Sequence, residues 1–394
     1  MKPFNLELRS GVKQCYRDAN LQIIFSVTLM AVIGASVFVP ALPRMVQELN
    51  ITPQAVGMLI SIYAIPGIAF APLAGMFADR FGRKKVLVPS LLLFSLAGGA
   101  CTFARDFNLL LLLRFLQGME AANLISLSWV IICDLYSENE RTAAMGYNAS
   151  FINIGLACFP AAGGAMAMIG WYYPFLLSFL AAPVGLLVLF SLKNPEPRNT
   201  QRLIEYLGGV IHNLKTPRAV CLFLANAFAF MLTFGSYMAY FPFLAEYSFG
   251  ASSFLIGLLM SATFFVAAFA ASQLGNLAKM ISEANLLKIS FALYSLGLLT
   301  MPLVPNLWLL FIPLVSFGIA QGINEPVITA LLGRIVPTEH RAAFILVNEM
   351  FLLIGTTAGP VLMGAIFETW GVSSVFFAGA GLSIAVFIVL ALIG

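Results

Sequence analysis

Apolar runs long enough to cross a bilayer recur twelve times along this chain, and no other feature constrains its fold so tightly. A helix spanning a ~30 Å hydrocarbon core needs about 20 residues. Broken at charges, prolines and glycines, the sequence gives runs at roughly 21–45, 54–78, 84–104, 107–133, 142–169, 171–192, 218–247, 253–279, 284–303, 307–333, 342–369 and 371–393. They are continuously apolar rather than alternating with period two, which argues against the strands of a membrane barrel. Sixty per cent of the residues are hydrophobic, a tenth are charged, and the mean hydropathy is +0.94. A water-soluble domain could not solvate such a surface, so the chain reads as an all-α membrane protein.

The cations orient it. Eighteen of the 21 Lys and Arg residues lie in the amino-terminal segment and the even-numbered connections; the odd-numbered connections hold only Arg44 and Arg105, and Arg114 sits inside a span. The positive-inside rule makes the cation-rich side cytoplasmic and places both termini there. Met1 to Asn20 is basic and polar and leads into a run too long for a signal peptide's core, so no cleaved signal is expected. Cys15, Cys101, Cys133, Cys158 and Cys221 lack paired spacing and read as small packing residues. With no phosphate-binding loop, and with His212 and His340 both at the cytoplasmic side without metal-ligand spacing, an enzyme is not expected, nor a cofactor, a metal or a nucleic-acid partner.

The chain also repeats itself. A shift of 200 residues aligns Gly57 with Gly257, Ser61 with Ser261, Gly75 with Gly275, Gly118 with Gly318, Arg141 with Arg341, Asn148 with Asn348, Gly155 with Gly355, Pro160 with Pro360 and Gly164 with Gly364. Two six-helix halves follow. The expected organisation is a cytoplasmic segment 1–20, a first bundle 21–192, a linker 193–217 and a second bundle 218–394. Within the linker, Arg202 to Leu214 reads either as an amphipathic surface helix or as an unstructured tether.

Between the second and third runs lies Gly75-Met76-Phe77-Ala78-Asp79-Arg80-Phe81-Gly82-Arg83-Lys84-Lys85. This pattern closely resembles the loop signature of the major facilitator superfamily of transporters. The fifth run, Gly155-Leu156-Ala157-Cys158-Phe159-Pro160-Ala161-Ala162-Gly163-Gly164, resembles the superfamily's antiporter signature, with Phe159 in place of a glycine. Arg114-Phe115-Leu116-Gln117-Gly118 resembles the R-x-x-Q-G pattern associated with proton transfer in that group. The chain is thus similar to the twelve-helix drug:proton antiporters. The resemblance implies a major facilitator fold, two pseudo-symmetric six-helix bundles related by an axis along the membrane normal, and alternating access. It further implies a gating role for Gly75, Asp79, Arg80, Gly82 and Arg83, with Asp134 as the arginines' acidic partner, and a bending, close-packing role for Gly155, Pro160, Gly163 and Gly164.

Ionisable groups inside spans are functional candidates by default. Arg114 is one. Glu120 lies ~120° around the helix from it and is divided between a helix-to-helix hydrogen bond and proton coupling. Gly318, Gln321, Gly322 and Glu325 form one stripe. Glu325 lies nine residues before Arg334 and Glu349 eight after Arg341, so both should sit at similar depth on neighbouring helices. Two buried acids close together cannot both ionise easily, which suits a proton carrier. The expectation is that Glu325 and Glu349 take proton and cationic substrate in competition, with Arg114 as a distal electrostatic partner; the competing reading has neutral acids held by Asn324 and Asn348. Gln117, Gln321, Asn324, Phe38, Tyr63, Phe151, Phe230 and Tyr237 are candidate substrate contacts in a greasy, cation-tolerant cavity. The functional expectation is a monomeric, proton-coupled exporter of lipophilic, cationic small molecules in a bacterial cytoplasmic membrane. The alternatives are a dedicated exporter of a metabolite, siderophore or lipid, a proton symporter, and a membrane sensor.

Overall fold

The structure, a computed structural model, describes residues 18–193, 217–335 and 341–393. The surface helix expected in the linker lies outside the described residues. Twelve helical spans are present among them. The first is Ala19–Ser36, continued by a 3-10 turn at Val39–Ala41 and by Leu42–Leu49. Pro53–Phe81, Arg83–Ala100, Phe107–Leu135 and Glu138–Ala167 follow, and the sixth joins a 3-10 stretch, Tyr173–Leu180, to Ala181–Ser191. The seventh runs through Pro217–Phe230, Met231–Ala239 and Phe241–Phe249. The last five are Ser253–Met280, Glu283–Thr300, Phe311–Ile335, Arg341–Trp370 and Val372–Ile393.

All but the third are long and apolar enough to cross a membrane. The third opens with Arg83, Lys84 and Lys85, so its apolar part is short. Between the second and third spans, Gly82 adopts φ +96°, a conformation that favours glycine and lets one helix end and the next begin within a single residue.

The runs read as single helices at 21–45 and 218–247 are both broken near one end. In the first, Pro40 and Pro43 sit in first-turn positions and tighten the chain into a 3-10 turn. In the seventh, Met231–Ala239 is π-helical and ends at Tyr240, after which Pro242 starts a new helix. Proline lacks the N–H that would continue the ladder, and wide turns of this kind gather at functional sites.

The two bundles pair their helices in the same way. Second with fourth, third with fourth and first with fifth recur as eighth with tenth, ninth with tenth and seventh with eleventh. A β-carbon on Gly118 would strike the carbonyl of Tyr63, and one on Gly318 would strike the carbonyl of Thr263, each pair displaced by the 200-residue register. Thr28 donates to Asn148 (2.9 Å) between the first and fifth spans, and Asn226 donates to Asn348 (2.9 Å) between the seventh and eleventh.

The bundles meet through the second and eleventh spans and through the fifth and eighth. The hydrogen bonds that cross this seam among the described residues all lie toward the cation-poor end. Gln47 donates to Glu246 (2.8 Å), Ser61 to the carbonyl of Thr357 (2.7 Å), and the Ala161 amide to Ser261 (3.0 Å). Gly164 packs on the carbonyl of Ser253 and Gly257 on that of Pro160. At the cation-rich end, Gly146, Gly275 and Gly333 have nothing within 4 Å of where a β-carbon would stand.

Candidate functional site

Among the described residues the seam can be followed to Gly67. Gly67 of the second span packs against Leu353 of the eleventh. One turn further toward the basic end, on the same face of the eleventh helix, stands Glu349. Its carboxylate and that of Glu325 on the tenth span are near enough to repel one another. Both side chains are crowded by protein and yet exposed along one side. That combination describes the wall of a cleft. No hydrogen bond or ion pair reaches either carboxylate among the described residues. The asparagines beside them are turned away: Asn324 donates to Ser290 (3.0 Å) and Asn348 accepts from Asn226. The reading in which these asparagines hold neutral acids is therefore corrected. Each makes a helix-to-helix bond at a buried position, Asn324 through its amide nitrogen and Asn348 through its oxygen.

One turn above Glu325, the Gln321 side-chain oxygen accepts from Thr233 (2.7 Å) and from Tyr294. Thr233 belongs to the π-helical stretch and Tyr294 to the ninth span. Gln321 is half-buried, unlike its neighbours Thr233 and Tyr294, which are buried.

Arg114 occupies a different setting. It is fully buried. Its guanidinium lies 4.3 Å from the Phe38 ring centre and 4.2 Å from that of Tyr63. Nη1 donates to the Gly34 carbonyl (2.8 Å) and to the Gln117 side-chain oxygen (2.7 Å), and Nε to the Leu59 carbonyl (3.4 Å). Gln117 passes its amide hydrogen to Ser178 (3.0 Å), and Tyr63 donates to the Ala31 carbonyl (2.9 Å). Cation–π contact and carbonyl dipoles replace water here. Rings and carbonyls of its own bundle enclose Arg114. Glu120 is buried and accepts from Asn123 (3.1 Å) on its own helix, so the helix-to-helix bond offered for it does not form in this state.

Several candidate substrate contacts have no open surface. Phe38, Gln117, Asn324 and Tyr237 are buried; Phe38 stacks on Phe175 and Tyr237 on Phe317. In this state they are packing residues, which corrects their assignment to the cavity wall. Phe230 is buried against Phe234, and Phe151 stacks on Phe25 at 4.1 Å while keeping partial exposure. Aromatic content alone could not separate wall from filling, since both positions are apolar.

The antiporter-like segment forms the seam. Gly155 packs on Val32 and Leu29, Gly163 on the carbonyl of Val37 and Gly164 on that of Ser253. In the loop signature, Arg83 binds Asp134 at 2.9 Å, whereas Arg80 is exposed and lies over the ring of Phe81. Of the two arginines expected to meet Asp134, one does. Gly75 and Asp79 fall within Pro53–Phe81, and the contacts expected of them lie outside the described residues.

Sequence reasoning missed one pair. Arg334 binds Glu283 at 2.7 Å. Glu283 is 200 residues after Arg83, and Arg334 is 200 after Asp134. The same ion pair recurs in the second bundle with its charges exchanged. A search for identity at that register passes over it; a search for opposite charge finds it.

A family model described as "Major Facilitator Superfamily" matches residues 24–248 and again 222–394. Multidrug resistance protein 1 of Bacillus subtilis (strain 168) is 26% identical over 359 residues, 89% of this chain and 90% of that protein. Quinolone resistance protein NorA of Staphylococcus aureus (strain MRSA252) is 26% identical over 345 residues, 85% of this chain and 87% of that one. Among solved structures, a bacterial homologue of the human lysosomal transporter Spinster, inward-facing and occupied, superposes with a TM-score of 0.79 at 18% identity, covering 96% of this chain and 95% of that one.

Proposed function

Because the chain belongs to the major facilitator superfamily, a family of multi-pass membrane transporters for small molecules, we propose that it is a proton-coupled exporter of lipophilic cations. The observation that carries the reading is the Glu325–Glu349 pair: two partly exposed carboxylates that meet no hydrogen-bond or ion-pair partner among the described residues. Two acids in such a place gain from losing one negative charge. A proton removes it, and so does a bound cation, so the two compete for one site. Exchange of one for the other is antiport. The names of the relatives, drug-resistance proteins spanning nearly the same length, agree with a broad cationic substrate range.

The rest of the mechanism follows from the positive-inside orientation. With the basic end and both termini in the cytoplasm, the cleft faces inward and the seam closes the outer side. Bundles at 21–192 and 218–394, tethered by 193–217, rock about the midplane site. Substrate enters from the cytoplasm or inner leaflet, displaces a proton, and is released outside as a proton returns. Arg83–Asp134 holds the third and fourth spans together while Gly75 and Asp79 form the latch that engages when the inner side closes. Pro160 and its glycines let the fifth helix slide on the eighth.

The test is transport in proteoliposomes of purified protein carrying an imposed pH gradient. Wild type is expected to move tetraphenylphosphonium against its gradient and to release protons on binding it. Glu325→Gln and Glu349→Gln should each cut gradient-driven transport at least ~10-fold, the scale of one lost charge-assisted contact. If both single variants transport normally, the pair is not the exchange site. Proton release on substrate binding also separates a transporter from a pure sensor.

A further inference from the structure

The tenth helix carries one more polar group on the open stripe, and its orientation is set from behind. The Gln321 oxygen accepts from Tyr294 and from Thr233, whose single hydroxyl hydrogen it shares with the Ala229 carbonyl (3.0 Å). The Tyr294 hydroxyl is buried and donates to no other described group, so it holds the oxygen inward. The amide nitrogen on the other side of the carboxamide makes no hydrogen bond with any described residue, and Gln321 keeps open surface. Glu325 is four residues on, one turn along the same face and ~6 Å along the axis.

We infer that Gln321 is a specificity-determining residue, whose outward N–H hydrogen-bonds substrates bearing an oxygen acceptor about one helical turn from their positive charge. The inference rests on the cation-exchange reading above. The acid pair supplies the attraction common to all substrates, and the amide sorts among them. A cation with an ether or carbonyl oxygen at that spacing satisfies the donor on binding. A purely hydrocarbon cation leaves it to water in the cleft, at no large penalty because the group is not sealed. Thr233 and Tyr294 are positioning residues that keep the donor side outward.

Three probes separate the possibilities in the same proteoliposome assay. Tetraphenylphosphonium has neither donor nor acceptor, berberine is a quaternary cation with ether oxygens and no N–H, and ethidium carries amino donors. With Gln321→Leu, the KM for berberine is expected to rise roughly three- to tenfold, the scale of one neutral hydrogen bond, while tetraphenylphosphonium stays within about twofold. The Thr233→Val/Tyr294→Phe double variant should shift berberine in the same direction and also spare tetraphenylphosphonium, because the freed amide no longer faces one way. Unchanged tetraphenylphosphonium transport shows that each variant is folded and coupled. Equal loss of all three probes would reduce Gln321 to a structural residue. Selective loss of ethidium would mean that the oxygen, not the N–H, faces the cleft, and would overturn the assignment. If wild type moves none of the probes while still releasing protons to some other solute, the cationic reading itself fails and this inference falls with it.

Discussion

The two bundles share one backbone plan and set their charged groups differently. In the first, Arg114 is sealed between two rings and three carbonyl groups, with no open surface. In the second, its register mate is Leu314, buried and apolar, and the charge has moved to Glu325 and Glu349, open and unpaired. A buried cation held by three hydrogen bonds and two rings exchanges slowly, since those contacts would have to break first. Unpaired acids on a cleft can change partners at low cost. One half is therefore built to hold a charge still and the other to trade it. The signatures that mark the superfamily cluster in the first half, yet the two partly exposed acids, Glu325 and Glu349, stand in the second.

That contrast can be broken at several points. The largest effect is expected from the Glu325→Gln/Glu349→Gln double variant. With no acid left on the cleft, gradient-driven transport should fall at least ~100-fold, as two charge-assisted contacts are lost together, while equilibrium binding of neutral analogues persists. Radiolabelled uptake and calorimetry on one preparation would check both. Next comes Leu314→Arg, which copies the first half's cation into the second. Leu314 is buried and apolar, so a charge introduced there should cost ~3–5 kcal/mol and prevent recovery of folded protein in detergent. Normal yield would mean the second bundle can also cage a cation.

Gly118→Val and Gly318→Val probe the shared frame. Each inserts side-chain atoms against the carbonyl of Tyr63 or Thr263, and each should lower stability by ~1–3 kcal/mol, seen as a fall in Tm. Similar losses would support equal packing; a loss in one half only would show the frames to be less alike than their register. The smallest effects concern the exchanged ion pair. Arg83–Asp134 is nearly buried, at 6% and 12% side-chain exposure, whereas Arg334 is 74% exposed. Asp134→Ala should cost ~1–2 kcal/mol because it removes a nearly buried ion pair, while Glu283→Ala should cost less than ~1 kcal/mol. A thermal-denaturation series with the Arg83→Glu/Asp134→Arg swap would show whether either charge order serves in the first half.

Most of the architecture was legible because hydrophobic length and cation placement act locally. A run such as 253–279 can only be a span, and identities such as Pro160 with Pro360 expose the repeat without any contact being known. Even the acid pair followed from residue counts to Arg334 and Arg341. What escaped depends on distant neighbours. Nothing near Arg114 in sequence announces that Gly34, Phe38, Leu59 and Tyr63 will enclose it. Asn324 and Asn348 stand beside the glutamates in sequence, but helix rotation points them at Ser290 and Asn226 instead. The π-helical stretch at Met231–Ala239 reads as an ordinary apolar run, because its cause lies partly in Pro242 beyond it and partly in packing against the tenth and eleventh spans.

Fastening the two bundles toward one end makes the molecule a pair of levers. From Gly67, to which the seam can be followed among the described residues, the second helix runs on for 14 residues to Phe81, an arm of ~21 Å. A rotation of about 15°, the order of known subunit rearrangements, would swing its tip by ~5 Å. That is about the spacing of one strand from the next in a sheet, and more than the thickness of a flat aromatic ring. A modest turn at the fulcrum is thus enough to admit or exclude a planar guest. Helix length, more than any gate residue, sets how wide the inner door can swing.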